Sequence, residues 1–438
     1  MLLLAALACQ GSSATEPEPT GGAIAPNSTP RTGKPEVTVD RITYVGPDGN
    51  LFTVNPDGSG ELKLTGTSQV EQGPAGRFLA QPLGISDFYA WPTWSPDGTK
   101  LAASHVHLGD GQSEVSVQVF DLSTGQSATV YDNELTSLVA EGAPHYLYWS
   151  PDSIHLGFLA ATRGGLTLFV VNTESQESAV AVQSGAPLYY QWSSDGSSLV
   201  IHIGEELKLA HAPFSGSAET LVESTLGFRA PALSSEGGRF AYVGSGDSQG
   251  SLFIAEASAP AQSWKVLDVG TLTAFVWSPG GHELAVVDQD NPRSPIFQRL
   301  RVVPGDGGEE RTIGEGQIMA YYWSPNGENI AWVSLDPQDR EFVWRVGPST
   351  GASSKELFRF VPSSDTLIML SFFDQYGYSH SPWSPDGTRL VVAGVRGRPL
   401  GSTNGQTPTG DRVFILDAVG DAPPLDLAAG TLAFWSWN

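Results

Sequence analysis

Two short stretches of the chain have the spacing of a serine nucleophile elbow. They are Gly246-Asp247-Ser248-Gln249-Gly250 and Gly347-Pro348-Ser349-Thr350-Gly351. An elbow serine must stand on a strained turn between a strand and a helix, where a histidine can activate it. Both stretches lie between segments typical of β-strands, and no helical pattern follows them. We therefore interpret both as hairpin loops and predict no catalytic residue, with an enzyme kept as the alternative.

Side chains that could bind a metal are dispersed along the chain. Of the eight histidines, His105 and His107 share one face of a predicted strand, and the other six fall in different repeats. The stretch Asp288-Gln289-Asp290-Asn291 alternates oxygen ligands but lacks the glycine and the closing glutamate of a calcium loop. Dispersion along the chain does not exclude convergence in space, but these patterns predict no metal and no cofactor.

Aromatic groups that precede a recurring tryptophan have the residue types best suited to binding. Examples are Phe88-Tyr89-Ala90-Trp91, Leu188-Tyr189-Tyr190 and the stretch Phe372–His380. Aromatic rings beside carboxylates form pockets for peptides, sugars or cations when a fold brings them to one mouth. The predicted ligand-binding residues are Asp87, Tyr89, Trp91, His145, Tyr146, Tyr189, Asp374, Tyr376 and His380.

A sequence repeat supplies the elements that position these residues. The phrase Trp-Ser-Pro-Asp-Gly is intact at Trp94–Gly98 and Trp383–Gly387, and variants begin at Trp149, Trp192, Trp277 and Trp323. A worn copy begins at Leu233 and a partial copy at Trp435. By subtraction of these positions, successive copies stand 41 to 60 residues apart. A period of this size indicates a repeat architecture.

Each copy of the phrase predicts a hairpin between two short strands. Proline presets φ, aspartate bonds nearby amides, and glycine accepts a positive φ. A second pair of strands usually follows, as in Val115–Leu122 and Ser127–Tyr131, which gives four strands per repeat. We interpret the repeated tryptophan as packing between neighbouring sheets. The repeated Asp or Asn is interpreted as a turn-stabilising residue rather than a metal ligand or catalytic carboxylate.

These repeats resemble those of TolB-like propellers, also described as WD-like or PD-type repeats, from about Arg41 to the C-terminus. The resemblance implies an all-β fold and a single β-propeller, and it implies no particular activity, because propellers carry many. The copies predict eight four-stranded blades, or seven if Leu233 begins an insertion. The last copy has room for one strand only. We therefore expect the C-terminal strand to pair beside the N-terminal three strands and close the ring.

The composition fits one large all-β domain rather than several domains. Fifty glycines and 31 prolines suit a fold with many turns. Only Val130–Val139 and Pro362–Phe373 are expected to hold a turn or two of helix. With 23 Lys and Arg against 47 Asp and Glu, the net charge is −24. Such a surface repels phosphates, so a nucleic-acid partner is not expected.

The only cysteine, Cys9, follows the apolar start Met1–Ala8. This arrangement resembles a bacterial lipoprotein processing site, in which the cysteine becomes the lipidated N-terminus; an incidental apolar start is the alternative. The predicted organisation is a signal segment over 1–9, a Ser/Thr/Pro/Gly-rich tether over 10–40 and a propeller over 41–438. The lipid would be the only membrane attachment, and the protein would lie outside the cytoplasmic membrane.

The sequence therefore predicts a lipid-anchored, monomeric binding protein without catalytic activity. Its partner would be an envelope protein, a peptide or a glycan held at the mouth of the channel by loops on a rigid scaffold. The alternative is a propeller enzyme, a polysaccharide lyase or hydrolase that acts in the central channel. A purely structural envelope component is the third possibility.

Overall fold

Strands form almost all of the regular structure. The computed structural model describes residues 40–66, 86–109, 112–135, 145–162, 165–175, 177–236, 238–246, 250–289, 291, 296–397 and 410–437. Those ranges contain 30 strands and two short helices, and no helix among them is long and apolar enough to cross a membrane. Cys9, the predicted signal segment and residues 10–39 of the predicted tether lie outside the described residues.

Five sheets have four antiparallel strands each. The first sheet contains β1 (Ile42–Val45), β2 (Leu51–Val54), β3 (Leu62–Lys63) and the last strand, β30 (Leu432–Trp435). The second contains β4 (Asp87–Trp94), β5 (Lys100–Gly109), β6 (Gln112–Asp121) and β7 (Gln126–Leu135). The third contains β8 (His145–Trp149), β9 (His155–Thr162), β10 (Gly165–Asn172) and β11 (Val180–Ser184). The fourth contains β12 (Leu188–Trp192), β13 (Ser198–Ile203), β14 (Glu206–His211) and β15 (Glu219–Val222). The fifth contains β16 (Ala232–Leu233), β17 (Arg239–Gly244), β18 (Gly250–Glu256) and β19 (Ala259–Val269).

The sixth sheet has ten strands in sequence order. It contains β20 (Leu272–Trp277), β21 (Glu283–Gln289), β22 (Phe297–Pro304), β23 (Arg311–Trp323), β24 (Asn329–Asp336), β25 (Glu341–Pro348), β26 (Lys355–Pro362), β27 (Arg389–Arg396), β28 (Arg412–Asp417) and β29 (Leu425–Ala429). The long strand β23 pairs with β22 through its first half and with β24 through its second half. It therefore joins two four-stranded units. In the last unit the inner strand is reduced to a bridge between Trp383 and Leu390.

The two ends of the described chain meet in the first sheet. Strand β30 pairs with β1, with Ile42 opposite Trp435 and Val45 opposite Leu432. The pairing continues beyond the strands, because the Ser436 amide donates to the Arg41 carbonyl at 2.7 Å. The C-terminal strand thus stands beside the three N-terminal strands, in the place that the repeat pattern predicted.

The repeated Ser-Pro-Asp-Gly phrase forms the same tight turn wherever it occurs intact. In the first copy, Ser95 Oγ donates to Asp97 Oδ1 at 2.6 Å, and the Thr99 amide donates to the same oxygen at 3.0 Å. Gly98 closes the turn with φ of +69°, a conformation that glycine adopts without steric cost. Bonds of the same kind recur at Asp152, Asp195, Asn326 and Asp386. The repeated Asp or Asn is therefore a turn residue, as predicted.

The repeated tryptophans connect each sheet to the one before it. In five of the seven repeat tryptophans, the indole Nε1 donates to the carbonyl of the residue just before the previous copy; Nε1 of Trp94 and of Trp435 has no partner within the described residues. The bonds run from Trp149 to Thr93 (3.2 Å), Trp192 to Tyr148 (3.0 Å), Trp277 to Ala232 (3.2 Å), Trp323 to Val276 (3.2 Å) and Trp383 to Tyr322 (3.1 Å). At the worn copy, the Leu233 amide donates to Gln191 Oε1 at 2.6 Å instead. The predicted packing between sheets is confirmed.

One of the two expected helical stretches is helical. Helix α1 (Ser364–Ser371) and helix α2 (Phe373–Tyr376) form the stretch predicted near Pro362–Phe373, and the Ser363 hydroxyl caps α1 by accepting from the Thr366 amide. The prediction of helix over Val130–Val139 is wrong for its described part. Strand β7 runs to Leu135 and pairs with β6, because β-branched and aromatic residues such as Val130 and Tyr131 fit a sheet better than a short helix.

Candidate functional site

The helical segment 363–380, here called the plug, lies where inner strands of several sheets face one another. Trp91 of β4 stacks on Tyr376 at 5.1 Å between ring centroids. Tyr321 of β23 meets Phe373 at 4.7 Å, and Phe434 of β30 meets His380 at 4.6 Å. The plug is therefore part of the central core, and its aromatic residues contact strands from opposite ends of the chain.

Two bulges direct aromatic side chains at the plug. The β4–β5 register shifts between Ala90 and Thr93, and the β8–β9 register shifts at the equivalent place. Trp91 and Tyr146, each three residues before a repeat tryptophan, have φ of +53° and +50°. Both contact Tyr376. Non-glycine residues in this conformation are strained, so the packing around them must hold them there.

A buried ion pair anchors the plug. Arg229, which precedes β16, lies 2.9 Å from Asp374 Oδ1 and donates through Nε to Oδ2 at 3.2 Å. Its Nη1 also donates to the Ser371 carbonyl at 2.6 Å. The Asp374 side chain is 1% exposed. Burying a carboxylate so far from water is costly unless a group of opposite charge compensates it.

The structure places five of the nine predicted ligand-binding residues in the interior. They are Trp91, Tyr146, Asp374, Tyr376 and His380. Burial lowers the pKa of the His380 imidazole to about 3, which keeps the ring neutral. Tyr146 Oη donates to the Tyr190 carbonyl at 3.1 Å, and Tyr190 Oη donates to the Tyr146 carbonyl at 2.8 Å. The five predicted residues are thus part of the core, and Trp91, Tyr146 and His380 all contact Tyr376.

The other four predicted residues are partly exposed at the starts of inner strands. They are Asp87, Tyr89, His145 and Tyr189. Asp87 Oδ1 lies 2.5 Å from His105 Nε2, and Tyr89 stacks on His105 at 4.5 Å. Tyr89 Oη also donates to Gln118 Oε1 at 3.2 Å. These starts lie at the ends of the inner strands away from the Ser-Pro-Asp-Gly turns.

A pocket of about 350 Å³ opens among the Ser-Pro-Asp-Gly turns, on the side here called the motif face. Six indoles line it: Trp94, Trp277, Trp323, Trp383, Trp435 and Trp437. Three turn prolines, Pro279, Pro325 and Pro385, add to its apolar wall. The plug contributes Tyr378 and His380, and Trp437 is 38% exposed. The walls are thus aromatic and apolar, as in many ligand sites.

Several polar atoms of pocket-lining residues have no partner within the described part of the chain. They include Trp94 Nε1, Trp435 Nε1, Tyr322 Oη and Tyr378 Oη. Burial raises the pKa of the Tyr322 and Tyr378 hydroxyls, so both remain protonated donors. Buried donors without partners cost free energy, and a bound ligand or water that accepts from them would recover it.

Sequence reasoning missed most of this pocket. It interpreted the repeated tryptophans as packing residues only, and they pack between sheets as predicted, but five of them also line the cavity together with Trp437. Trp437 was the available signal, because it stands two residues after Trp435 and has no place in the repeat. For metals, the described residues contain no group of three or more His, Cys, Asp or Glu that could hold an ion.

Comparison with known proteins agrees with the observed sheets. No protein-family model matches the chain, and no curated protein matches it by sequence. Among solved structures, it is similar to a eukaryotic initiation factor, with 14% identity, a TM-score of 0.53 and coverage of 91% of this chain and 98% of that chain. It is similar to dihydro-heme d1 dehydrogenase NirN in complex with DHE, with 12% identity, a TM-score of 0.54 and coverage of 92% and 77%. TolB from Acinetobacter baumannii matches with 16% identity, a TM-score of 0.39 and coverage of 84% and 89%.

At these identities the similarity concerns the fold alone. The chain is an all-β protein built from four-stranded antiparallel sheets in the manner of a β-propeller.

Proposed function

We propose that this chain is a non-catalytic binding module, a closed eight-bladed propeller that holds a segment of a partner protein in the motif-face pocket. The 350 Å³ aromatic pocket with unpartnered donors is the observation that carries the proposal. A peptide suits it, because peptide carbonyls accept from indole and hydroxyl donors while side chains fill the apolar space.

Eight blades result when the ten-stranded sixth sheet is divided into units at β23 and before Trp383. Strand β23 ends one unit and begins the next, and the bridge at Trp383 begins a third. Three units added to five four-stranded sheets make eight. In this arrangement the pairing of β1 with β30 closes the ring and covers the edge that β1 would otherwise leave open to another chain. A monomer is therefore expected.

The location outside the cytoplasmic membrane rests on the resemblance of Cys9 to a lipidation site. A lipidated Cys9 would leave residues 10–40 as a tether between the bilayer and the propeller. A single acyl chain binds a membrane weakly and reversibly, whereas several acyl chains on one residue hold a protein there firmly. Replacing Cys9 by serine should move the chain from the membrane fraction to the soluble fraction.

Site-specific photo-crosslinking in the native envelope tests the binding site. A benzophenone amino acid is placed at Trp437 in the full chain, and at Leu425, an exposed apolar residue of the outer strand β29, as the control. We expect a defined adduct from position 437 and none from position 425. Identical adducts from both positions, or none from position 437, would contradict a binding site in this pocket.

The pair formed by Asp87 and His105 favours a second candidate, a polysaccharide lyase or hydrolase. A carboxylate that holds a histidine 2.5 Å away can act as an acid–base pair. Turnover of a polysaccharide or peptide mixture that disappears in His105→Ala would support this candidate.

A further inference from the structure

The rim of the motif-face pocket carries exposed carboxylates. Glu236, Glu328 and Asp386 are exposed, and each stands in a turn that contributes a lining residue: Ser235, Pro325 and Pro385 respectively. None of the three acids belongs to an ion pair within the described residues. The rim therefore carries negative charge that can attract a cationic ligand to the pocket.

Three basic side chains near the repeat turns already bind an indole ring and a carboxylate, and they show how this fold binds a cation. Lys100, Arg239 and Arg389 lie over Trp149, Trp277 and Trp435 of the following repeats, at 5.9, 5.4 and 4.9 Å from the rings. Each also pairs with a carboxylate, at 3.1 to 3.2 Å. An indole face beside a carboxylate is thus a recurring cation site of this fold.

Of the five repeat tryptophans at the pocket, three lack such a cation among the described residues, namely Trp94, Trp323 and Trp383. The position that carries Arg239 and Arg389 in other repeats is Glu283 before Trp323 and Asn329 before Trp383. All three tryptophans line the pocket. Among the described residues, the pocket therefore combines indoles without a cation, exposed acids outside any ion pair and donors without an acceptor.

We infer that the segment bound in this pocket is basic, with lysine or arginine side chains inside the acidic rim and against the free indoles. This inference rests on the proposed function. The backbone carbonyls of the segment would accept from the unpartnered indole and hydroxyl donors. The net charge of −24 would accelerate the encounter with a cationic partner and repel acidic ones.

Calorimetric titration of the full chain with three short peptides tests the inference. The first peptide alternates proline and lysine, and the other two replace lysine by glutamine or by glutamate. We expect the lysine peptide to bind at least tenfold more tightly than the glutamine peptide, with affinity falling as salt rises, and the glutamate peptide not to bind.

The triple variant Glu236→Gln, Glu328→Gln, Asp386→Asn should weaken binding of the lysine peptide at least fivefold. Asp386→Asn keeps its turn, because Asn326 makes the same bonds in another copy. Asp195→Asn is the matched control, since it removes an equivalent charge from a turn that does not line the pocket. It should leave the affinity unchanged.

The outcomes separate the two proposals. Equal affinity for the lysine and glutamine peptides, lost for both in Trp437→Ala, would overturn the basic ligand and keep the pocket. Binding of the lysine peptide that survives both the triple variant and Trp437→Ala would overturn the basic ligand and the pocket together. Absence of binding by all three peptides would do the same.

Discussion

At the scale of residues, the most demanding interaction is the ion pair between Arg229 and Asp374. Replacing Arg229 by methionine leaves the buried Asp374 carboxylate without its charged partner, and we expect a loss of about 3–5 kcal/mol in the free energy of unfolding. Arg412→Met is the control, because Arg412 and Asp426 form an exposed pair whose loss costs about 1 kcal/mol or less. Urea unfolding of the full chain measures both.

The double variant Arg229→Met, Asp374→Leu distinguishes a lost pair from lost packing. It removes both charges, so it should be less destabilised than Arg229→Met alone. If Arg229→Met were no more harmful than Arg412→Met, the plug would not depend on this pair.

Single residues were predictable where their role is local. The turn role of Asp97 and its counterparts follows from neighbouring residues, and so does the packing role of the repeat tryptophans. The partner of Asp374 was not predictable, because Arg229 lies 145 residues away along the chain. The direction of the Trp91 side chain was also not predictable. A β-bulge sets this direction, and a bulge leaves no clear signal in an aromatic run of sequence.

At the scale of elements, the turn hairpins should respond to acid. Hydrogen bonds from Ser193 and Ser197 hold the pKa of the Asp195 carboxyl at about 2, against 3.8 when unpaired. The folded state therefore favours the ionised form. The stability that this charge contributes is present above pH 4 and is lost as the pH falls through about 2.

Asp195→Asn removes this titration while keeping the turn. The difference in free energy of unfolding between the wild type and the variant should shrink as the pH falls from 4 to 2. Denaturant unfolding at a series of pH values measures the difference. A difference that stays constant or grows toward low pH would show that the Asp195 carboxylate does not stabilise the turn.

Hairpins were more predictable than the plug. Each hairpin is encoded within a few residues by a turn phrase between two apolar runs. Helices were predicted from weak patterns, and the described part of the stretch Val130–Val139 belongs to β7, where pairing with β6 decides the outcome. The position of α1 and α2 in the central core depends on contacts with several sheets, which no local pattern contains.

At the scale of the whole molecule, four-stranded units follow one another along the chain. The indole bonds of Trp149 and Trp192 connect their sheets to the sheets before them, and the pairing of β1 with β30 places the two ends of the described chain in one sheet. The plug fills the centre and leaves a pocket on the motif face. The ligand-binding residues predicted from the sequence include His380, which lines this pocket, and others on the opposite side.

The joining of the chain ends is the most direct test of this account. Tyr44 and Ala433 stand opposite each other in the β1–β30 register. In a Cys9→Ser background, mild oxidation of Tyr44→Cys, Ala433→Cys should consume both thiols within one chain and raise the denaturant midpoint. Tyr44→Cys, Leu226→Cys should keep its thiols free. Free thiols in the first variant, or bonds formed only between chains, would contradict a ring closed by its two ends.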